Sequence, residues 1–97
     1  MFSIVLREPG EVVLTGWFDA SRVDEANAVF DKLTDTTRVN MKDLEYISSL
    51  GLGVLLKTQK RLNGGGKELI LAQSGKLVRD VFRIARFEHV FKMEDAK

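Results

Sequence analysis

Tyr46-Ile47-Ser48-Ser49-Leu50-Gly51-Leu52-Gly53 runs from an apolar pair into two hydroxyls and then two glycines set among leucines. Val54 to Asn63 follows without proline, and Gly64-Gly65-Gly66 closes the run as a C-terminal stop, so the spacing predicts a strand-to-helix junction at the serines. At about 100° per residue, with Leu55 as the buried centre, Gly51, Leu52, Thr58, Gln59 and Leu62 fall on the inner side. Leu50, Gly53 and Lys57 then point nearly the opposite way. A solvent-facing helical glycine is less favourable than alanine by about 1 kcal/mol, and an exposed leucine adds nothing to a core. Both residues make sense if another surface packs against them.

The serines admit two readings. Unpaired N–H groups at a helix start prefer a serine oxygen, so N-capping accounts for a hydroxyl here. A phosphoryl group here would instead bring about −1.5 to −2 charge to a helix N-terminus, where N–H groups and the macrodipole favour anions. The fold could carry that group, whereas a partner packed over Leu50 and Gly53 would meet an unmatched dianion, which is costly to bury. The same position could therefore act as a switch.

Working outward, Phe2 to Leu6 and Glu11 to Phe18 read as strands, with Pro9-Gly10 between them supplying type II turn chemistry and hence a hairpin. Asp19-Ala20-Ser21 offers capping side chains, Ser21 with Asp24 forming a weak capping box. Val23, Ala26, Phe30 and Leu33 then mark one helical face. Arg38 to Leu44 reads as a third strand. Glu68 to Ala72 is a short apolar run of strand length. Ser74 or Gly75 opens a last helix with Leu77, Val81, Ile84 and Ala85 at helical spacing, and His89 to Met93 supplies a final short strand before a fraying Glu94 to Lys97. The expected architecture is an α/β domain with a mixed sheet of four to five strands, an N-terminal hairpin followed by parallel strands, and three main helices packed against it by right-handed crossovers.

Ninety-seven residues make one domain, residues 1–97. Area scaling gives a folded surface of roughly 5,600 Å² and burial of about 65% of the unfolded chain's surface, enough for one core without staples. Lys+Arg 15 against Asp+Glu 14 leaves a net charge of +1, which gives no general attraction to nucleic acid or anionic membrane. The absence of cysteine removes disulfides, thiolate nucleophiles and cysteine metal sites, and the single histidine, His89, removes sites built on several imidazoles. No catalytic residue, metal ligand or cofactor site is expected. Gly64-Gly65-Gly66-Lys67 lacks the spacing, the hydroxyl and the following helix of a phosphate loop. Ser49, His89 and Asp19 or Asp43 could be grouped as a triad on paper, but no nucleophile elbow accompanies them. No stretch approaches a signal or membrane-spanning segment, and a cytoplasmic protein is expected.

At these residues the chain resembles a STAS domain of the single-domain anti-sigma factor antagonist type. Gly16-Trp17-Phe18-Asp19 matches that family's Gly-x-Leu/Phe-Asp, Val39-Asn40-Met41 its third strand, Tyr46 to Gly53 its "Asp/Ser-Ser-x-Gly-Leu-x" signature, and Gly64 to Leu69 its helix-to-strand turn. The resemblance covers essentially the whole chain. It implies that Ser49, or next to it Ser48, is phosphorylated by a serine-kinase anti-sigma factor. The unphosphorylated form would bind that kinase, and a metal-dependent serine phosphatase would reset it. It further implies a phosphoacceptor pocket of Asp19, Asn40 and Ser48; the start and outward side of the helix, Leu50, Gly51, Gly53 and Lys57, are expected to bind the partner. The family also contains constitutive structural subunits of lipid-transport ATPase complexes, the alternative role. The sequence departs from the usual Asp-Ser-Ser-Gly in having Ser48-Ser49-Leu50-Gly51.

Overall fold

In a computed structural model, residues 1–94 are described. The strands are β1 (Phe2–Arg7), β2 (Glu11–Phe18), β3 (Thr37–Ile47), β4 (Leu69–Ala72) and β5 (Lys92–Glu94), and the helices are α1 (Val23–Phe30), α2 (Ser49–Asn63) and α3 (Lys76–Ile84). They form one five-stranded sheet in the order β1-β2-β3-β4-β5, with β1 antiparallel to β2 and every later pair parallel. The mixed sheet and three helices agree with the expectation from the sequence. The accessible surface of 5666 Å² matches the value expected from chain mass.

Period-two alternation separates the two faces of the sheet. Val12, Leu14 and Phe18 of β2, Val39 and Met41 of β3, and Leu69 and Leu71 of β4 are buried with Ala26 and Phe30 of α1 and Leu52, Leu55 and Leu62 of α2. The intervening residues, among them Val13, Thr15, Arg38 and Asn40, occupy the other face. Two polar side chains tie the layers together. Gln59 is buried on α2, accepts from the Leu69 N–H at 2.7 Å and donates to the Val90 carbonyl at 2.9 Å, which fixes α2 to the starts of β4 and β5. Arg61 donates to the Leu33 and Phe30 carbonyls at 2.7 and 2.8 Å, satisfying groups at the C-terminal end of α1.

Several local expectations change. The hairpin loop takes three residues, because Arg7 pairs with Glu11 and leaves Glu8-Pro9-Gly10 between them; Gly10 supplies the positive φ of 71°, and the Glu8–Pro9 bond is cis. Ser21 does not start a capping box. Asp19 caps instead, ahead of a 3-10 turn over Ala20–Arg22 that leads into α1. β3 runs on to Ile47, through register shifts opposite Val13/Thr15 and Gly16/Trp17 that break the simple alternation. On α3 the buried residues are Val78 and Phe82, while Leu77 and Ile84 are 60% and 78% exposed. The last strand lies later than expected, and Glu94 pairs with Ala72 instead of fraying. Asp95, Ala96 and Lys97 fall outside the described residues.

Candidate functional site

β2 and β3 run parallel and end together, with Phe18 beside Ile47. The Ser48 N–H donates to the Phe18 carbonyl at 2.9 Å, which carries the pairing one step past the strands. Adjacent strands lie about 5 Å apart, so Asp19 and Ser48 leave the sheet side by side and each begins a helical segment.

The two serines have different tasks. Ser48 is the extended N-cap of α2, and its Oγ accepts from the Gly51 N–H at 3.2 Å. Ser49 is the first helical residue and is exposed, and no hydrogen bond involves its hydroxyl among the described residues. Capping and presentation, the two readings open at the sequence level, are thus divided between neighbours. On the outer side of α2, Leu50 is 58% exposed and Gly53 has open space where a Cβ would stand. Lys57 is exposed on the same side, but its ammonium reaches back to Asn27 at 3.0 Å and Asp31 at 3.6 Å.

Asp19 Oδ1 accepts from both the Ser21 hydroxyl at 2.6 Å and the Ser21 N–H at 3.0 Å. These bonds favour the carboxylate and hold its pKa below the usual aspartate value, with a smaller contribution from Arg22. A fixed negative charge therefore stands on the strand end next to Ser48.

Two sequence-predicted residues lie elsewhere. Asn40 is not at this end. It sits near the opposite end of β3, roughly 20 Å from Ile47 by strand rise, on the sheet face away from the buried core. Its Nδ2 donates to Glu11 at 3.3 Å, and its Oδ1 accepts from the Lys42 N–H at 3.0 Å. Asn40 occupies an outward parity position in an otherwise apolar strand, and it serves a surface network in which Arg38 joins Glu11 and Glu94. Gly51 is buried and cannot form part of an outward face. A Cβ there would come within 2.9 Å of Ile47 Cγ1 and 3.0 Å of the Phe18 carbonyl oxygen, so the missing side chain lets α2 approach the strand ends.

Sequence reasoning missed Trp17 and Tyr46. Their rings stack at 4.9 Å one register step before Phe18 and Ile47, and Trp17 is 51% exposed. The signal was available in strand parity, since Trp17 alternates with the core residue Phe18.

A STAS-domain family model matches residues 4–96. The chain belongs to the STAS family. Among curated relatives, a STAS-domain-containing protein of Pseudomonas aeruginosa is 26% identical over 84% of this chain and 84% of its own length. A candidate anti-sigma factor antagonist of Bordetella bronchiseptica, BtrV, is 34% identical over 75% of this chain and 63% of its own. Among solved structures, a candidate anti-sigma factor antagonist of Thermotoga maritima superposes with a TM-score of 0.81 at 20% identity, covering 98% of this chain and 86% of that one. The anti-sigma factor antagonist SpoIIAA in its unphosphorylated form gives 0.77 at 24% identity, covering 100% and 89%. Phosphorylated Bacillus SpoIIAA gives 0.72 at 23% identity, covering 100% and 92%. Among the described residues, no helix is long and apolar enough to cross a membrane, and no group of acidic or histidine side chains could hold a metal ion.

Proposed function

We propose that this STAS domain is an anti-sigma factor antagonist whose binding face is switched by phosphorylation of Ser49. The observation that carries the reading is the division of labour at the start of α2: Ser48 spends its hydroxyl on the cap, and Ser49 presents a free one beside Leu50 and Gly53. The domain acts as a binding module and a kinase substrate, and it needs no catalytic group of its own. In the unphosphorylated state, Leu50 and the bare backbone at Gly53 form an apolar contact for a serine-kinase anti-sigma factor. A phosphoryl group on Ser49 sits at the positive end of the helix, where it is tolerated by the fold. It adds to the negative charge of Asp19 and desolvates poorly under a partner, so the kinase leaves. A serine phosphatase restores the first state. The existence of a STAS-fold antagonist in both phosphorylated and unphosphorylated structures supports a fold that accommodates the modification.

The test is incubation with ATP and a serine-kinase anti-sigma factor from the same organism, read by intact mass. One phosphate is expected on the native chain and on Ser48→Ala, and none on Ser49→Ala. Ser48→Ala loses its cap at a cost of about 1 kcal/mol, so its fold is checked by circular dichroism first. Phosphate retained by Ser49→Ala would overturn the acceptor assignment. The exposed Leu50 also suits a permanent interface, as in a structural subunit of a transport ATPase. A stable stoichiometric complex with an ATPase, indifferent to Ser49→Asp, would establish that role in place of the switch.

A further inference from the structure

We infer that the free edge of β1 is a self-association surface, through which two copies of this chain join their sheets in antiparallel fashion. The Trp17 N–H donates to the Met1 carbonyl at 2.8 Å, and the β1–β2 register pairs Ser3 with Thr15, Val5 with Val13 and Arg7 with Glu11. In an antiparallel ladder, residues alternate between directing both backbone groups at the partner strand and directing both away from it. The Met1 bond fixes that phase. Ser3, Val5 and Arg7 bond to β2, whereas the N–H and C=O groups of Phe2, Ile4 and Leu6 point off the sheet. None of these six groups has a backbone partner among the described residues.

Proteins ordinarily blunt such an edge with charge, proline, a bulge or brevity. The opposite edge does so: β5 has three residues, two of them Lys92 and Glu94. β1 does not. Phe2-Ser3-Ile4-Val5-Leu6 has no charge, no proline and a regular register, and Val5 and Leu6 are 49% and 42% exposed.

The chemistry of this edge favours a second copy as its occupant, because the segment complements itself. Only one two-fold register engages all three outward residues of both strands, with Ile4 opposite Ile4 and Phe2 opposite Leu6. On the α1 side that register sets apolar against apolar, and on the other side Ser3 meets Val5. Arg7 stands opposite Met1, one step beyond the last hydrogen-bonded pair, and Glu8 falls outside the paired stretch. A ten-stranded sheet results, in which the two Ser49 sites lie at opposite ends, so association and the proposed switch do not compete.

The test is sedimentation of the unmodified chain from about 10 μM to 1 mM, together with amide hydrogen exchange over the same range. The expected result is a rise from the 10.9 kDa monomer toward twice that mass. The amides of Phe2, Ile4 and Leu6 should exchange at least about tenfold slower at the high concentration, while those of Ser3, Val5 and Arg7 stay unchanged. Leu6→Pro removes an outward N–H without touching the β1–β2 ladder, and Leu6→Lys adds a charge to the edge. Each should be monomeric with a native circular dichroism spectrum, the second variant standing in if the first fails to fold. A native chain that stays monomeric at 1 mM, or a dimer unaffected by Leu6→Lys, would overturn the inference. A strand donated by a different protein would show as outward-amide protection only when that protein is added, and would overturn it too.

Discussion

A methyl group added at Gly51 and at Gly53 should have opposite effects, although both glycines lie in the first turns of one helix. At Gly51 the new Cβ meets Ile47 and Phe18 near 3 Å, so Gly51→Ala should lose about 1–3 kcal/mol through overpacking. At Gly53 the Cβ meets nothing within 4 Å, and Gly53→Ala should gain up to about 1 kcal/mol from helix propensity. Urea unfolding of the two variants measures both, and equal effects would show that α2 is rotated from its described position. Asp19 makes a second prediction. Its carboxyl is held low chiefly by the Ser21 hydroxyl, so Ser21→Ala should move its pKa up toward the ordinary aspartate value, read by carboxyl carbon NMR. The sign follows from linkage. A lowered folded pKa stabilises the fold above the unfolded value, near pH 4, and that contribution disappears as pH falls through the folded value. The variant should therefore lose less stability than the native chain as the pH falls below about 4. The cap at Asp19 is local to Ser21, whereas the crowding at Gly51 depends on which strand ends lie alongside.

At the level of elements, α3 shows where pattern reading fails. Leu77, Val81, Ile84 and Ala85 recur at helical spacing, yet Val78 and Phe82 are the residues that reach the core, Phe82 meeting Phe91 edge-on at 5.7 Å. The apolar arc of this helix is wider than the sheet can cover, and periodicity locates the arc without choosing which part faces inward. Phe82→Ala should cost about 3–5 kcal/mol, while Leu77→Ala and Ile84→Ala should each stay within about 0.5 kcal/mol, measured by thermal or urea unfolding. A large loss at Ile84 would reverse the assigned face. The phase of α2, by contrast, was legible. Its inner residues Leu52, Leu55, Thr58, Gln59 and Leu62 are buried as the single-centre estimate requires, and Leu50, Gly53 and Lys57 lie outward.

For the whole molecule, the sheet order places the ends of β2 and β3, and the starts of two helical segments, at one place. A negative charge on Ser49 should leave the fold intact there. Ser49→Asp sets a carboxylate in the first turn of α2 with no like-charged group on that helix turn, so its melting temperature should equal or slightly exceed that of the native chain. A cooperative transition lowered by several degrees would show that the fold does not tolerate charge at this position. Under the proposed switch the same variant should weaken binding of a serine-kinase anti-sigma factor, which separates an effect on recognition from an effect on stability.

The order of elements, the hairpin, the junction at Ser48-Ser49 and the rotation of α2 were determined by the sequence itself, because local period, turn residues and capping side chains act over a few residues. The partners of Asn40, the close approach at Gly51, the stacking of Trp17 on Tyr46 and the choice between the two faces of α3 were decided only by the tertiary structure. Their environments depend on strand register, on two bulges in the β2–β3 pairing and on which helix covers which strand. Those are relations between residues far apart in the chain, and no local pattern carries them. The division between Ser48 and Ser49 belongs to both levels: the sequence supplies two hydroxyls, and the pairing of Ser48 with Phe18 settles which one turns inward to cap and which one faces out.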